Sequence, residues 1–141
     1  MSYELRMERV IRAPRQAVFD AWTRPEALRR WFTPQPLGTG ECRLDFRVGG
    51  EWVHSMLMPG GLAHTMRARF TAIEAPRRLV FEAGLEQLAG SHIVTTVTFE
   101  EAGAGTRVRV LQTFNGDIPV EDARAGWTSS LDQLQALAEG A

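Results

Sequence analysis

The sequence predicts an α+β fold in which one antiparallel sheet packs against a long C-terminal helix. Three observations support this prediction. Apolar residues alternate with polar ones at every second position through most of the chain, turns rich in glycine and proline separate these segments, and the C-terminal segment changes to a spacing of three and four. A chain of 141 residues, 44% of them hydrophobic, suits a single domain over residues 1–141 with one core.

The N-terminal part predicts one strand followed by two short helices. A strand is expected over Tyr3–Ile11, whose apolar residues share one side at period two. Pro14 suits a first helical turn, and a short helix is predicted from there to Trp22. The second short helix follows a possible cap at Thr23, and its apolar side consists of Leu28, Trp31 and Phe32. Thr33–Gly40, with two prolines and two glycines, predicts a loop.

From Leu44 onward the apolar period is two, which predicts six successive strands joined by short turns. Together with the first strand they form an antiparallel sheet of seven strands. The turns are expected at Gly49-Gly50, Pro59–Gly61, Ala75–Arg77, around Gly90 and at Gly103–Gly105. The six alternating apolar sets begin with Leu44, Phe46 and Val48 and continue through 52–58, 64–72, 79–83, 93–99 and 108–114.

The C-terminal segment predicts an amphipathic helix of about 20 residues, roughly 30 Å long. It is expected to begin near Pro119 and to stop near Gly140. Only this helix is long enough to cross the sheet, and one narrow helix is not expected to fill the space beside seven curved strands. A cavity between the helix and the sheet is therefore predicted, and such cavities are the usual sites for small molecules.

Several short motifs follow one another in a fixed order along nearly the whole chain. They are Arg12-Ala13-Pro14, 18–26, Trp31-Phe32, 45–52, Met58-Pro59-Gly60, 74–81, 97–101, Gly105-Thr106-Arg107 and Gly126-Trp127. This set resembles the START-like (SRPBCC) superfamily, and most closely the branch named for the C-terminal domain of the activator of Hsp90 ATPase. The resemblance implies the helix-grip fold, in which a seven-stranded antiparallel sheet wraps around a long C-terminal helix, two short helices join strands 1 and 2, and a ligand cavity lies between sheet and helix. For function it implies only a range, because superfamily members bind lipids, hormones and polyketides, and some are cyclases or hydrolases.

Composition excludes several classes of function. Sixteen basic and 17 acidic residues give a net charge of −1, so no basic field is present for nucleic acid or for an anionic membrane. No apolar run reaches the roughly 18–20 residues of a membrane helix. Cys42 is the only cysteine, which excludes an internal disulfide and a cysteine metal cluster. With no export signal at the N-terminus, the expected location is the cytoplasm.

The predicted cavity combines apolar walls with two polar side chains. His54 could act as a general base or as a hydrogen-bond partner of a ligand, or it could pair with a neighbouring strand or water. Gln112 needs a partner because an unpaired buried amide costs roughly 1–3 kcal/mol, and a ligand, water or Trp127 could supply it. Core packing is the alternative for each apolar member. The predicted ligand-binding residues are Trp52, His54, Met56, Met66, Phe70, Phe81, Gln112, Trp127 and Leu131.

The favoured function is the binding of a small hydrophobic or amphipathic molecule, because one histidine and one glutamine make a small catalytic set. A cyclase or hydratase with His54 as base and Gln112 orienting the substrate is one alternative, and a chaperone-interacting module is another. No cofactor is expected. No metal site is expected either, since His54 and His64 have no accompanying carboxylate cluster. Both a monomer and a homodimer are compatible with the sequence.

Overall fold

The chain folds into seven strands and three helices within residues 2–115 and 118–140, the part that the computed structural model describes. This is the expected α+β fold, with two short helices between the first two strands. The elements are β1 Ser2–Ile11, α1 Arg15–Asp20, α2 Pro25–Trp31, β2 Gly38–Leu44, β3 Glu51–Leu57, β4 Ala63–Glu74, β5 Arg78–Leu85, β6 Leu88–Ala102, β7 Gly105–Asn115 and α3 Val120–Gly140. No helix in these ranges is long and apolar enough to cross a membrane.

The seven strands form one antiparallel sheet in the order β1-β7-β6-β5-β4-β3-β2. Strands β2 to β7 pair in chain order, as the short turns predict, and β1 adds beside β7. The register confirms the predicted faces, because Trp52, His54 and Met56 all lie on the side of the sheet that carries the core. We call this side the inner face. The two edge strands are β1 and β2.

The helix α3 packs against the inner face through its apolar stripe. Its buried residues are Trp127, Ser130, Leu131 and Leu134. The C-terminal half of α3 is attached to β1 by the Arg9 guanidinium, which contacts the Asp132 carboxylate at 2.8 Å and donates to Gln135 Oε1 at 2.9 Å. These two contacts between Arg9 of β1 and α3, together with the buried apolar stripe, fix the helix across the sheet.

The region around β2 differs from the prediction. Part of the expected loop at 33–40 is strand, and β2 ends at Leu44 instead of continuing through Phe46 and Val48. After Leu44 the chain makes a tight turn, in which a Cβ on Gly50 would lie 2.0 Å from the Asp45 carbonyl oxygen. Phe46 nevertheless packs inward on the Phe70 ring at 5.1 Å, which explains why its position in the sequence looked like that of a strand residue.

Smaller differences concern the ends of elements. The first helix covers Arg15–Asp20 and is shorter than predicted, whereas β6 begins at Leu88, before the predicted start at Ile93. The predicted stop at Gly140 is the last residue of α3. These shifts leave the order and type of the elements unchanged.

Candidate functional site

The nine residues predicted to bind a ligand lie on the inner face and on α3, and their side chains pack against one another. Trp52, Phe70 and Phe81 are buried, and the ring of Phe81 lies 5.1 Å from that of Trp52. Trp127 stacks on Trp22 with the ring centroids 6.2 Å apart. The space predicted to be a cavity therefore contains aromatic side chains. Contact between these nine residues and a ligand stays a prediction.

The short helices supply much of this filling. Phe32, at the end of α2, places its ring 4.7 Å from Trp52, 4.9 Å from His54 and 5.7 Å from Trp127. Trp22 and Trp31 pack edge to face at 4.6 Å. The prediction of a cavity assumed that only α3 fills the space beside the sheet. In the structure, α1, α2 and the residues that follow them also project side chains into the core.

His54 is fully buried and forms one hydrogen bond through its side chain. Its Nε2 lies 2.8 Å from the hydroxyl of Thr33, whereas Nδ1 has no partner in the part of the chain that the structure describes. Burial lowers the pKa of His54 to about 4, because the imidazolium would lose its hydration, and the positive charge of Arg29 lowers it further. His54 is therefore neutral at pH 7.

The hydroxyl of Thr33 connects His54 to an open cleft. Thr33 Oγ1 also lies 2.6 Å from Thr39 Oγ1, and both threonines line a cleft of about 500 Å³ between α2, β2 and α3. We call it the edge cleft, since it lies beside the edge strand β2. It is lined by Arg29, Thr33, Gln35, Pro36, Leu37, Gly38, Thr39 and Gln133.

Polar residues of α3 hold the segment that forms one wall of the edge cleft. Gln133 Nε2 donates to the carbonyl oxygens of Thr33 at 2.7 Å and Trp31 at 3.2 Å. The Ser130 hydroxyl donates to the Phe32 carbonyl at 2.6 Å, and the backbone N–H of Gln35 donates to Ser129 Oγ at 3.0 Å. The wall is thus fixed by side chains almost 100 residues away in sequence.

None of the nine predicted residues lines the edge cleft, and the sequence analysis did not identify the residues that do. Six of the eight come from the region assigned to a loop, where no periodicity marks the inward positions, and the other two are Arg29 on α2 and Gln133 on α3. A signal was available on α3, where the polar residues Ser129, Ser130 and Gln133 adjoin the apolar stripe and need partners.

Gln112 lies on the inner face, as predicted, and its partner is on the neighbouring strand. Its Nε2 donates to the hydroxyl of Thr95 at 2.9 Å, and the two residues are directly opposite in the pairing of β6 and β7. Thr95 was not among the partners considered from the sequence. The contact satisfies one of the buried amide's hydrogen-bonding groups without a ligand.

Two buried indole groups are also without partners. The Nε1 atoms of Trp22 and Trp52 have no acceptor in the described ranges. Burying a polar group without a hydrogen bond costs about 1–3 kcal/mol, and such groups usually have a water or a ligand as partner. Both indoles belong to the buried aromatic cluster, in which Trp22 contacts Phe81 and Trp52 contacts Phe32, so the unsatisfied groups lie in the same part of the core.

The chemistry available at this site favours hydrogen bonding over proton transfer. A hydroxyl beside an imidazole is the arrangement of an activated nucleophile, but that arrangement also requires a group that orients the imidazole, and Nδ1 has none among the described residues. A base with a pKa of about 4 removes protons weakly near neutral pH. Within residues 2–115 and 118–140, no three metal-ligating side chains come together.

A second cleft, of about 400 Å³, lies on the outer face of the sheet. Its charged walls are already neutralised, because the Arg109 guanidinium contacts the Glu8 carboxylate at 2.8 Å and also pairs with Glu100. It is therefore a weaker candidate than the edge cleft.

A seven-stranded antiparallel sheet holding a long C-terminal helix, with two short helices after the first strand, defines an SRPBCC-type helix-grip domain. Residues 12–139 match the family model described as activator of Hsp90 ATPase homolog 1-like protein, and the chain belongs to this family. The resemblance inferred from the motifs is confirmed.

Solved structures show the same fold. A protein from Chromobacterium violaceum is 30% identical, with 96% of each chain covered and a TM-score of 0.90. A protein from Rhizobium leguminosarum is 29% identical, over 100% of this chain and 97% of that one, with a TM-score of 0.88. A third, an AHSA1-like protein from Aeromonas hydrophila, is 28% identical over 98% and 93% of the two chains, with a TM-score of 0.77. The comparison with curated proteins found no match.

Proposed function

We propose that the protein binds a small amphipathic molecule in the edge cleft. The observation that carries the proposal is the cleft itself. Its volume of about 500 Å³ lies within the usual range for small-molecule sites, and its walls combine the apolar Pro36 and Leu37 with hydroxyl and amide groups. Its position beside the edge strand β2 differs from that of the predicted cavity, because none of the nine residues predicted to bind a ligand lines it.

The wall of the cleft is rigidly supported, which favours binding. The hydrogen bonds that Ser130 and Gln133 donate, and the one that Ser129 accepts, hold the backbone of residues 31–35 in place before a ligand arrives. A preorganised site has less conformational entropy to lose when it binds. In this proposal the nine predicted residues, seven on the inner face and Trp127 and Leu131 on α3, form the packed support behind the cleft.

Binding is preferred over catalysis because the predicted base is inaccessible. His54 does not line the edge cleft, and its lowered pKa, about 4, makes it neutral and weakly basic. As part of the proposal, the protein acts in the cytoplasm, where a free buried thiol such as Cys42 is the ordinary state of cysteine.

Calorimetry with three probes that share an alkyl chain tests the proposal: octanoate, 1-octanol and octylamine. We expect at least one to bind the wild-type protein with a dissociation constant below about 1 mM. Thr39→Phe, which fills the cleft, should weaken that binding at least about tenfold, because the ring occupies space that the ligand needs. Thr39→Ser keeps the hydroxyl and is the matched control.

Two results would contradict ligand binding at this site. One is the absence of heat or fluorescence change with all three probes, and the other is equal affinity of the wild-type protein and Thr39→Phe. If the probes fail while purified Hsp90 binds both proteins equally, a chaperone-interacting module becomes the better explanation.

A further inference from the structure

We propose that the ligand of the edge cleft carries a single carboxylate, which Arg29 and the hydroxyl of Thr39 bind. This inference rests on the proposed function and names the class of ligand. Three features of the cleft carry it: its charge, the direction of its hydrogen bonds and the apolar character of its remaining wall.

The first feature is an uncompensated positive charge. Among the described residues that line the edge cleft, Arg29 alone is charged. Among the described residues, no carboxylate lies within 4.0 Å of its guanidinium, although ten other arginines form ion pairs. Its positive charge also acts on the buried His54, whose pKa is lowered first by burial and further by Arg29.

The second feature is the direction of the hydrogen-bonded chain from His54. If Nδ1 carried the proton of the neutral imidazole, a buried N–H would have no acceptor among the described residues, which is a rare and costly arrangement. We therefore assign the proton to Nε2, which then donates to Thr33 Oγ1. The Thr33 hydroxyl must in turn donate to Thr39 Oγ1.

This assignment leaves the hydrogen of the Thr39 hydroxyl for the occupant of the cleft. Thr39 Oγ1 has no other hydrogen-bond partner in the described part of the chain. The cleft then presents a hydroxyl donor and a guanidinium, and both favour a negatively charged acceptor. A neutral alcohol would leave the guanidinium charge unmatched, and an amine would be repelled by it.

The number of charges favours a carboxylate over a phosphate. Arg29 supplies one positive charge, which a carboxylate matches, whereas a phosphate monoester carries about 1.5 to 2 negative charges at pH 7. The guanidinium can bind the carboxylate through two parallel hydrogen bonds. Because Pro36 and Leu37 form the apolar part of the wall, the rest of the ligand should be hydrocarbon, which makes it an amphipathic monocarboxylic acid.

The test compares octanoate, 1-octanol and octyl phosphate by calorimetry on the wild-type protein and on two neighbouring variants. Arg29→Gln should weaken octanoate binding about tenfold or more, because a charge-assisted hydrogen bond is lost, and should change 1-octanol binding less than about threefold. Arg30→Gln is the matched control, since Arg30 is exposed, lies in the same last turn of α2 and does not line the cleft. It should leave octanoate binding unchanged.

A second variant tests the hydroxyl. Thr39→Val keeps the shape of the side chain and removes its donor, so octanoate binding should weaken about three- to tenfold. Equal octanoate affinity in Arg29→Gln and Arg30→Gln, or tighter binding of octyl phosphate than of octanoate, would overturn the carboxylate assignment. So would wild-type binding of 1-octanol as tight as that of octanoate, and in all three cases ligand binding itself would stand. Failure of every probe would refute both proposals.

Discussion

The buried His54 makes the stability of the protein depend on pH in a defined window. Its pKa is about 4 in the folded protein and 6.5 as an ordinary value, so the folded state binds fewer protons than the unfolded state between these values. The stabilising effect of a neutral His54 is therefore fully present above pH 6.5. It is lost as the pH falls from about 6.5 toward 4, because protonation then favours the unfolded chain.

The magnitude follows from the difference between the two pKa values. At about 1.4 kcal/mol per pKa unit, the full effect is about 3–4 kcal/mol, and about 2 kcal/mol of it is lost by pH 5. For a domain of this size that loss corresponds to a decrease in melting temperature of roughly 6–8 °C. Burial justifies the conversion, since the His54 side chain is 0% exposed.

Urea denaturation followed by tryptophan fluorescence measures the effect at pH 7.5, 6.5, 5.5 and 5. We expect wild-type stability to fall by about 2 kcal/mol across this series, and His54→Gln, which cannot titrate, to show a much flatter profile. The carboxylates of Glu8 and Glu139 do not contribute in this window, because hydrogen bonds to Arg109 and to the Arg12 backbone, respectively, hold their pKa values below 4.5.

His92→Gln is the matched control, since His92 is exposed and paired with Glu82 on the surface. It should keep the slope of the wild-type protein. The reasoning is refuted if wild type and His54→Gln lose stability in parallel between pH 7.5 and 5. That result would mean that the imidazole reaches solvent or finds an acceptor for Nδ1.

Three further perturbations test the packing that supports the site, each by urea denaturation at pH 7.5. Gln112→Leu should lower the free energy of unfolding by about 1–2 kcal/mol, because it leaves the Thr95 hydroxyl without its donor. The double variant that also carries Thr95→Val should lose less stability than the sum of the two single variants. Additive losses would rule out the contact. Ser130→Ala should cost about 1–2 kcal/mol by removing the bond to the Phe32 carbonyl, and a neutral effect would show that this bond does not hold the loop. Leu131→Ala should cost about 2–5 kcal/mol, because it opens a cavity in a fully buried position; a cost below 1 kcal/mol would contradict the packed interface of α3.

The fold was predictable because each element repeats its signal. In β7 buried residues alternate strictly with half-buried or exposed ones, so period two identified both the strand and its faces. In α3 the buried Trp127, Leu131 and Leu134 recur at steps of four and three. Where the pattern repeats several times, an error of one or two residues in the predicted ends does not change the predicted type of element.

The edge strand β2 was predicted poorly for a physical reason. Gly38 and Gly40 have no side chain that could show alternation, and the pairing with β3 shifts register between Thr39 and Cys42. Phe46, which is half-buried beside Phe70 but lies outside the strand, continued the apolar alternation beyond the end of β2. Periodicity detects which residues face the core, and it identifies a strand only when the exposed positions also have distinct side chains.

The location of the candidate site depends on where empty volume remains between packed side chains. A pattern of apolar positions in the sequence does not give that volume. The sequence argument compared the sheet with α3 alone and expected empty space between them. The structure places Trp22, Trp31 and Phe32 in the same region, and three large rings are sufficient to close it. Phe32 is the last of these rings along the chain, and Thr33, the next residue, already lines the open cleft. The candidate site is thus displaced to the position where the aromatic residues end, and most of the residues that line it belong to the segment 33–39 that follows.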